Sequence, residues 1–114
     1  MLALIHAELV LHDHFMPEAV LFIEDGIISG FGEMRTTPIL DGCEIIDLKG
    51  AYLGPGMIDI HTHGADGVFF PEDPLRAARF FLRHGTTTVL PALYFSMNTA
   101  QYVEAIEKIK LAMQ

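Results

Sequence analysis

The feature that most constrains this chain is a strand-like run, residues 55–64, that ends in two histidines separated by one residue. Side chains on a strand alternate between its two faces and two residues span roughly 6.6 Å, so His61 and His63 can turn toward one metal ion while Thr62 faces away. Neutral imidazole is the commonest metal ligand. A catalytic zinc ion takes about three protein ligands and keeps one position open. The pair therefore predicts half of a metal site, and the alternative is a chance pair at the end of a hydrophobic strand.

Composition excludes several classes of protein. A formal net charge of -8 with only 7 Lys and Arg argues against nucleic-acid binding, which needs a basic surface. No apolar run approaches the roughly 18 residues of a membrane helix, and no basic segment marks a signal peptide. We therefore expect a cytoplasmic protein that binds neither nucleic acid nor membrane. Because 51% of the 114 residues are hydrophobic, part of its apolar surface is expected to contact something outside this chain. The single cysteine, Cys43, is predicted to be a small, half-buried residue without a chemical role.

Residues 1–53 consist of short apolar stretches separated by turn-forming residues. This pattern predicts a small antiparallel β layer, in which Asp25-Gly26 is a hairpin signal. The first two strands are expected to be separated by a polar turn with a proline stop at residues 12–17. The predicted strands are residues 2–11, 20–24, 27–31 and 44–48.

Three more histidines lie in this part of the chain. His12 and His14 repeat the spacing of the later pair, but they flank Asp13 in the predicted turn, with no strand end to aim them inward. We interpret them as part of a solvated loop rather than as metal ligands. His6 is expected on the polar side of the first strand.

The pattern changes at residue 54, where strand, loop, helix, strand and helix follow in that order. Such an order is typical of the beginning of a parallel α/β sheet. The nearly continuous apolar run at 57–61 predicts a strand that is covered on both faces. A loop at 64–72 follows it, and the β-branched run at 86–90 predicts a second parallel strand.

Capping residues mark the two helices. Asp73 is a predicted N-cap followed by Pro74 at the first helical position, and Gly85 is a predicted C-terminal glycine. Asn98 with Gln101 three residues later predicts a capping box at the start of the second helix. The apolar stripe of the first helix is formed by Leu75, Ala78, Phe81 and Leu82.

Residues 55–63, preceded by a short-stranded β segment, resemble the opening of the amidohydrolase superfamily, metal-dependent hydrolases built on a βα barrel. The resemblance covers the whole chain and implies an α/β fold. It assigns residues 1–53 to part of a small N-terminal β-sandwich and residues 54–114 to the first two βα units of a TIM-like (βα)8 barrel. A complete barrel takes roughly 250 residues, with catalytic groups at the C-terminal ends of the strands. The barrel is therefore expected to be incomplete in this chain, with His61 and His63 at its catalytic end.

Within that superfamily, residues 63–67 and 85–91 are similar to the N-acetylglucosamine-6-phosphate deacetylase family. The resemblance implies a divalent metal ion, zinc, iron or similar, held in part by His61 and His63. It also implies a sugar phosphate substrate that is deacetylated to glucosamine-6-phosphate and acetate, and a homodimer of the full-length protein. The remaining ligands and the catalytic aspartate are expected after Gln114. Asp59 faces the same way as the histidines and is expected either to orient them or to hydrogen-bond within the strand.

Three alternatives stay open. A dihydroorotase or a hydantoinase is the nearest, although a dihydroorotase typically has an arginine at the position of Ala65. A non-catalytic fragment is the second, and the isolated 114 residues are expected to be inactive in either case. A stand-alone β-layer binding module explains residues 1–53 but gives no reason for the histidine pair.

Overall fold

A computed structural model describes residues 1–114 and divides them into two compact units, Met1–Pro55 and Gly56–Gln114. The first unit is built of strands alone, and the second combines strands with both helices. Neither helix has the length and apolar character that a membrane-spanning segment requires. The strands are β1 (Leu2–Val10), β2 (Phe15–Glu24), β3 (Ile27–Glu33), β4 (Glu44–Asp47), β5 (Tyr52–Leu53), β6 (Met57–Thr62), β7 (Gly64–Ala65), β8 (Val68–Phe69) and β9 (Thr86–Pro91), and the helices are α1 (Pro74–Arg83) and α2 (Thr99–Ala112).

The first unit is one sheet with the strand order β3-β2-β1-β4, and β5 also pairs with β1. Short turns join β1, β2 and β3, so these strands are antiparallel. β4 and β5 run parallel to β1, so the prediction of a purely antiparallel layer was wrong. The reason is the connection after β3: residues 34–43 carry the chain to the other edge of β1, and the strand that follows runs in the same direction as β1.

The turn after β1 is shorter than the sequence predicted. β2 begins at Phe15, five residues before the predicted start, and contains Pro17. The register of β1 against β2 shifts between the pairs Ala7↔Ala19 and Leu9↔Met16. A proline has no N–H to give to a sheet and is tolerated at such an irregularity, so Pro17 does not stop the strand. The Asp25-Gly26 hairpin is confirmed, and both of its central residues have positive φ.

The core of the first unit lies between β1 and β2. Every residue of β1 is buried or partly buried, and three consecutive residues of β2, Ala19, Val20 and Leu21, are buried. Partly buried residues such as Leu53 of β5 and Leu11, which follows β1, pack against this core. Its buried members are Ala7, Leu9, Ala19 and Leu21.

In the second unit β6 pairs with β9 in parallel, which confirms the predicted strand, helix, strand order. The segment predicted as a loop, residues 64–72, contains a two-stranded hairpin of β7 and β8. The sequence did not predict this hairpin because each strand has only two residues. Just beyond β8, Phe70 is 2% exposed and its ring stacks on Phe81 of α1, with ring centroids 6.1 Å apart.

The caps of both helices are confirmed. The side chain of Asp73 accepts a hydrogen bond from the N–H of Arg76 at 3.0 Å, and Asn98 with Gln101 forms a reciprocal capping box. The predicted stripe of α1 was partly wrong, since Leu75 and Leu82 are exposed and the buried position is Ala77. A small side chain there lets α1 approach the strands beneath it closely.

Candidate functional site

The two histidines lie at the end of β6, beside the end of β9. His61 is the penultimate residue of β6 and His63 follows the last one, Thr62. Thr62 is only 9% exposed and faces the interior of the unit. Strand alternation therefore turns the histidines to the opposite side, where their ring centroids are 5.3 Å apart and the ring planes are nearly perpendicular. The predicted juxtaposition is present.

His63 is fixed by a hydrogen bond to the neighbouring strand end. Its Nδ1 lies 2.9 Å from the carbonyl oxygen of Ala92, which follows β9. A carbonyl only accepts, so Nδ1 carries the proton, and in the neutral ring Nε2 keeps the lone pair. The N–H of Ala92 donates in turn to the carbonyl of Thr62 at 2.7 Å. One residue at the end of β9 therefore both joins the two strands and sets the tautomer of His63.

Aromatic rings surround the same imidazole. The ring of Tyr94 stacks on His63 with centroids 5.0 Å apart and an angle of 10° between the planes. Phe69 of β8 meets Tyr94 edge to face at 5.4 Å. The N–H of Phe70 donates to the backbone carbonyl of His63 at 3.0 Å, so main chain and ring of this histidine are both restrained.

The hydroxyl of Tyr94 is buried and has no hydrogen-bond partner. Burial raises the pKa of Tyr94, and the negative charge of Glu72 raises it further. Sequence reasoning did not single out Tyr94. The only available signal was an aromatic residue just after a predicted strand end, and such residues are common in cores.

His61 is held differently. Its side chain is exposed, and its backbone N–H donates to Oδ1 of Asp59 at 3.0 Å. Asp59 therefore hydrogen-bonds within its own strand, which is the second of the two roles expected for it. The amide of His61 is thereby satisfied where the pairing of β6 with β9 is irregular.

The chain contributes no third ligand at this point. No group of three or more His, Cys, Asp or Glu residues in the chain is arranged to hold a metal ion. The histidines fit a metal ion in donor type and in the free Nε2 of His63, but they amount to a partial set. His12 and His14 are exposed in the turn after β1, where both Nδ1 atoms approach Oδ1 of Asp13, at 3.4 Å and 2.6 Å.

The remaining candidates lie in the first unit. His6 was expected only on the polar side of the first strand, and its Nδ1 in fact pairs with Oδ1 of Asp47 at 2.9 Å. Cys43 is partly buried, as predicted, and forms no disulfide.

Sequence comparison finds short matches to several enzymes. An adenine deaminase of Methanoculleus marisnigri is 44% identical over 68 residues, which are 60% of this chain and 11% of that protein. An imidazolonepropionase of Myxococcus xanthus is 34% identical over 92 residues, 78% of this chain and 20% of that protein. A dihydroorotase of Trichlorobacter lovleyi is 35% identical over 68 residues, 59% of this chain and 16% of that protein. No protein-family model matches the chain.

Structural comparison covers nearly the whole chain. The crystal structure of N-acetylglucosamine-6-phosphate deacetylase from Pasteurella multocida superposes with a TM-score of 0.78 at 22% identity, over 98% of this chain and 30% of that one. A D-hydantoinase from Bacillus sp. AR9 gives a TM-score of 0.70 at 24% identity, over 95% of this chain and 24% of that one. At this identity the likeness concerns the fold alone. The chain thus spans less than a third of the proteins it matches here, and these proteins carry out different reactions.

Proposed function

We propose that this chain is the N-terminal part of a metal-dependent hydrolase and carries two of its metal ligands, His61 and His63. The structural neighbours and the sequence relatives support the amidohydrolase superfamily. The observation that carries the proposal is the geometry at the ends of β6 and β9. There two imidazoles lie side by side, and one of them is held with Nε2 free.

The position of the pair supports a catalytic role. In βα barrels the catalytic groups stand at the C-terminal ends of the parallel strands, and both histidines stand at the C-terminal end of β6. Its partner β9 is parallel and ends at the same edge, where it supplies the carbonyl of Ala92.

An exposed apolar face of β6 supports the barrel. Ile58 and Ile60 are 68% and 75% exposed, although a parallel strand is normally covered on both faces. Further βα units of a TIM-like barrel would cover these side chains and pair with the free edges of the two strands. The same units would supply the missing ligands and the catalytic aspartate.

The part of this chain in the chemistry is to hold and orient two imidazole ligands of the metal ion. His63 offers Nε2 from a ring held by a hydrogen bond, His61 offers an exposed imidazole, and the carboxylate of Asp59 accepts a hydrogen bond from the backbone of His61. When bound, a divalent metal ion, zinc, iron or similar, polarises an amide carbonyl and lowers the pKa of water.

For the reaction we propose deacetylation of N-acetylglucosamine-6-phosphate by the full-length protein, a cytoplasmic homodimer. The proposal rests on the similarity of residues 63–67 and 85–91 to that deacetylase family, together with the extent of the structural match to the Pasteurella multocida enzyme. A second candidate is deamination of adenine, which the 44% identity to the Methanoculleus marisnigri protein favours.

Metal binding by the chain is tested by titrating it with Zn²⁺ and following the imidazole signals by NMR. We expect weak binding that shifts the resonances of His61 and His63, and loss of that binding in His61→Gln and in His63→Gln. The matched control is the double variant His12→Gln/His14→Gln, which should bind as the native chain does. Binding that persists in His63→Gln and disappears in the control would reject the proposed site.

The reaction is tested on the protein encoded by the complete reading frame. We expect metal-dependent release of acetate from N-acetylglucosamine-6-phosphate, with adenine and dihydroorotate as competing substrates. Turnover of adenine or of dihydroorotate alone would overturn the deacetylase assignment and leave the metal-dependent hydrolase standing. The isolated 114-residue chain should show no turnover, since two of eight βα units lack the remaining ligands and the base.

A further inference from the structure

We propose that Tyr94 is a positioning residue that, together with the carbonyl of Ala92, fixes the imidazole of His63 in one tautomer and one orientation before any metal ion binds. This inference rests on the proposed function only in taking His63 as a ligand. The restraint itself is a property of the metal-free chain.

The two contacts restrain different motions of the ring. The hydrogen bond from Nδ1 to the carbonyl of Ala92, at 2.9 Å, selects the protonated nitrogen and limits rotation within the ring plane. The Tyr94 ring, parallel to the imidazole within 10° and 5.0 Å away, blocks movement out of that plane. Together they leave Nε2 as the free nitrogen and fix the direction in which it points.

Tyr94 is itself held, so it can act as a support. The hydroxyl of Tyr102 on α2 donates to the backbone carbonyl of Tyr94 at 2.8 Å, and the edge of Phe69 packs against the Tyr94 ring. α2 and the β7–β8 hairpin thus both fix the position of the residue that stacks on His63.

The hydroxyl of Tyr94 separates the role of the ring from that of its polar group. It is buried without a partner, and such a group is unfavourable. The ring carries the stacking contact, and nothing in the chain uses the hydroxyl. Phenylalanine should therefore preserve the positioning of His63, whereas an aliphatic side chain should abolish it.

His61 provides an internal contrast. It has neither a carbonyl partner for its ring nor a parallel aromatic neighbour, and its ring plane is nearly perpendicular to that of His63. A ligand that is already ordered loses less conformational freedom on binding. The structure thus assigns the two histidines different parts: a fixed ligand and an adaptable one.

The first experiment uses the unmodified chain without metal. Two-bond ¹H–¹⁵N correlation spectra of the imidazoles, recorded at a pH where the rings are neutral, distinguish the tautomers. We expect His63 to be a single tautomer protonated at Nδ1, and His61 to show averaged signals. An Nε2-protonated or averaged His63 would overturn the proposal without any substitution.

The second experiment compares Tyr94→Leu with Tyr94→Phe. In Tyr94→Leu the tautomer of His63 should become averaged and Zn²⁺ should bind about 10-fold more weakly, as for other partners that orient metal ligands. Tyr94→Phe should keep the single tautomer and bind Zn²⁺ within about twofold of the native chain. Amide spectra show whether each variant is folded. Unchanged affinity in a folded Tyr94→Leu, or averaging in Tyr94→Phe, would refute the role of the ring.

The outcomes separate this inference from the proposed function. Zn²⁺ binding that is insensitive to His63→Gln would reject the metal site, whereas the single tautomer would still establish the restraint on the ring. Zn²⁺ binding that requires His63 and does not respond to Tyr94→Leu would keep the metal site and reject the positioning role.

Discussion

Two regions of this molecule carry the same His-x-His spacing, and the backbone treats them differently. In the turn after β1, His12 and His14 are exposed and share the carboxylate of Asp13 between them. At the end of β6, a buried threonine separates His61 from His63, and the two rings lie 5.3 Å apart on the other face. Spacing alone therefore does not make a site.

The difference lies in what stands beside each pair. In the turn both histidines pair with the local Asp13. Ordering two exposed side chains costs conformational entropy, which such exposed contacts offset only in part. The strand end has β9 alongside it, which contributes the Ala92 carbonyl and leads directly into Tyr94. A strand end becomes a candidate site when a second element orients its side chains.

The largest effect is expected from removing the support beneath the strand end. Phe70 is 2% exposed, and its N–H donates to the carbonyl of His63. Phe70→Ala should lower the free energy of unfolding by about 3–5 kcal/mol, because it leaves a cavity in the small core of the second unit. Urea denaturation measures the loss, and amide exchange should show β6 and β9 becoming unprotected.

The matched control is Phe95→Ala, since Phe95 is 99% exposed. It should change the free energy of unfolding by no more than about 0.5 kcal/mol. Equal losses in the two variants would mean that the burial of Phe70 does not support the strand end, and the comparison would fail.

The next effect concerns the residue immediately after the pair. Gly64 has a φ of +148°, and an added Cβ would overlap the carbonyl oxygen of Val68 in the facing strand. Gly64→Ala should therefore cost at least about 2 kcal/mol and disturb the ring of His63. The free energy of unfolding and the His63 tautomer measure the two consequences.

Gly67 provides the control for backbone strain without a clash. It has a φ of +70° and nothing within 4 Å of an added Cβ, so Gly67→Ala should cost only about 1 kcal/mol. A Gly64→Ala variant that is as stable as Gly67→Ala would show that the approach of β8 does not constrain the strand end.

What the sequence could predict follows from the range of each interaction. The caps of Asp73 and Asn98 act within three residues, so the local pattern predicted them correctly. The stack of Tyr94 on His63 joins residues far apart in the chain through the pairing of β6 with β9, and no local pattern contains it. The parallel direction of β4 escaped prediction for the same reason, since the path of residues 34–43 decides it.

A smaller effect is expected from replacing the middle residue of each pair. Thr62 is buried, so Thr62→Ala should cost about 1–2 kcal/mol through lost packing and the loss of its hydroxyl. Asp13 is exposed, so Asp13→Ala should stay within about 0.5 kcal/mol of the native chain. Thermal unfolding of the two variants side by side measures the contrast, and a more damaging Asp13→Ala would reverse it.

The smallest effect comes from a third histidine–aspartate contact, in which the carboxylate is also bound by the backbone. The N–H of Lys49 donates to Asp47, and His6 pairs with the same oxygen; together they lower the pKa of Asp47 below its ordinary value of 3.8. A lowered pKa of Asp47 in the folded state adds stability at pH values above the pKa of the unfolded state. That stability is lost as the pH falls through the folded-state pKa.

Asp47→Asn should therefore be less stable than the native chain at pH 6, and the difference should shrink as the solution is acidified below about pH 4. His6→Gln should keep part of this pH dependence, because the Lys49 hydrogen bond is the larger cause and remains. Urea denaturation of the three proteins across that pH range measures the effect. A difference between native and Asp47→Asn that does not change with pH would show that the negative charge of Asp47 contributes no stability.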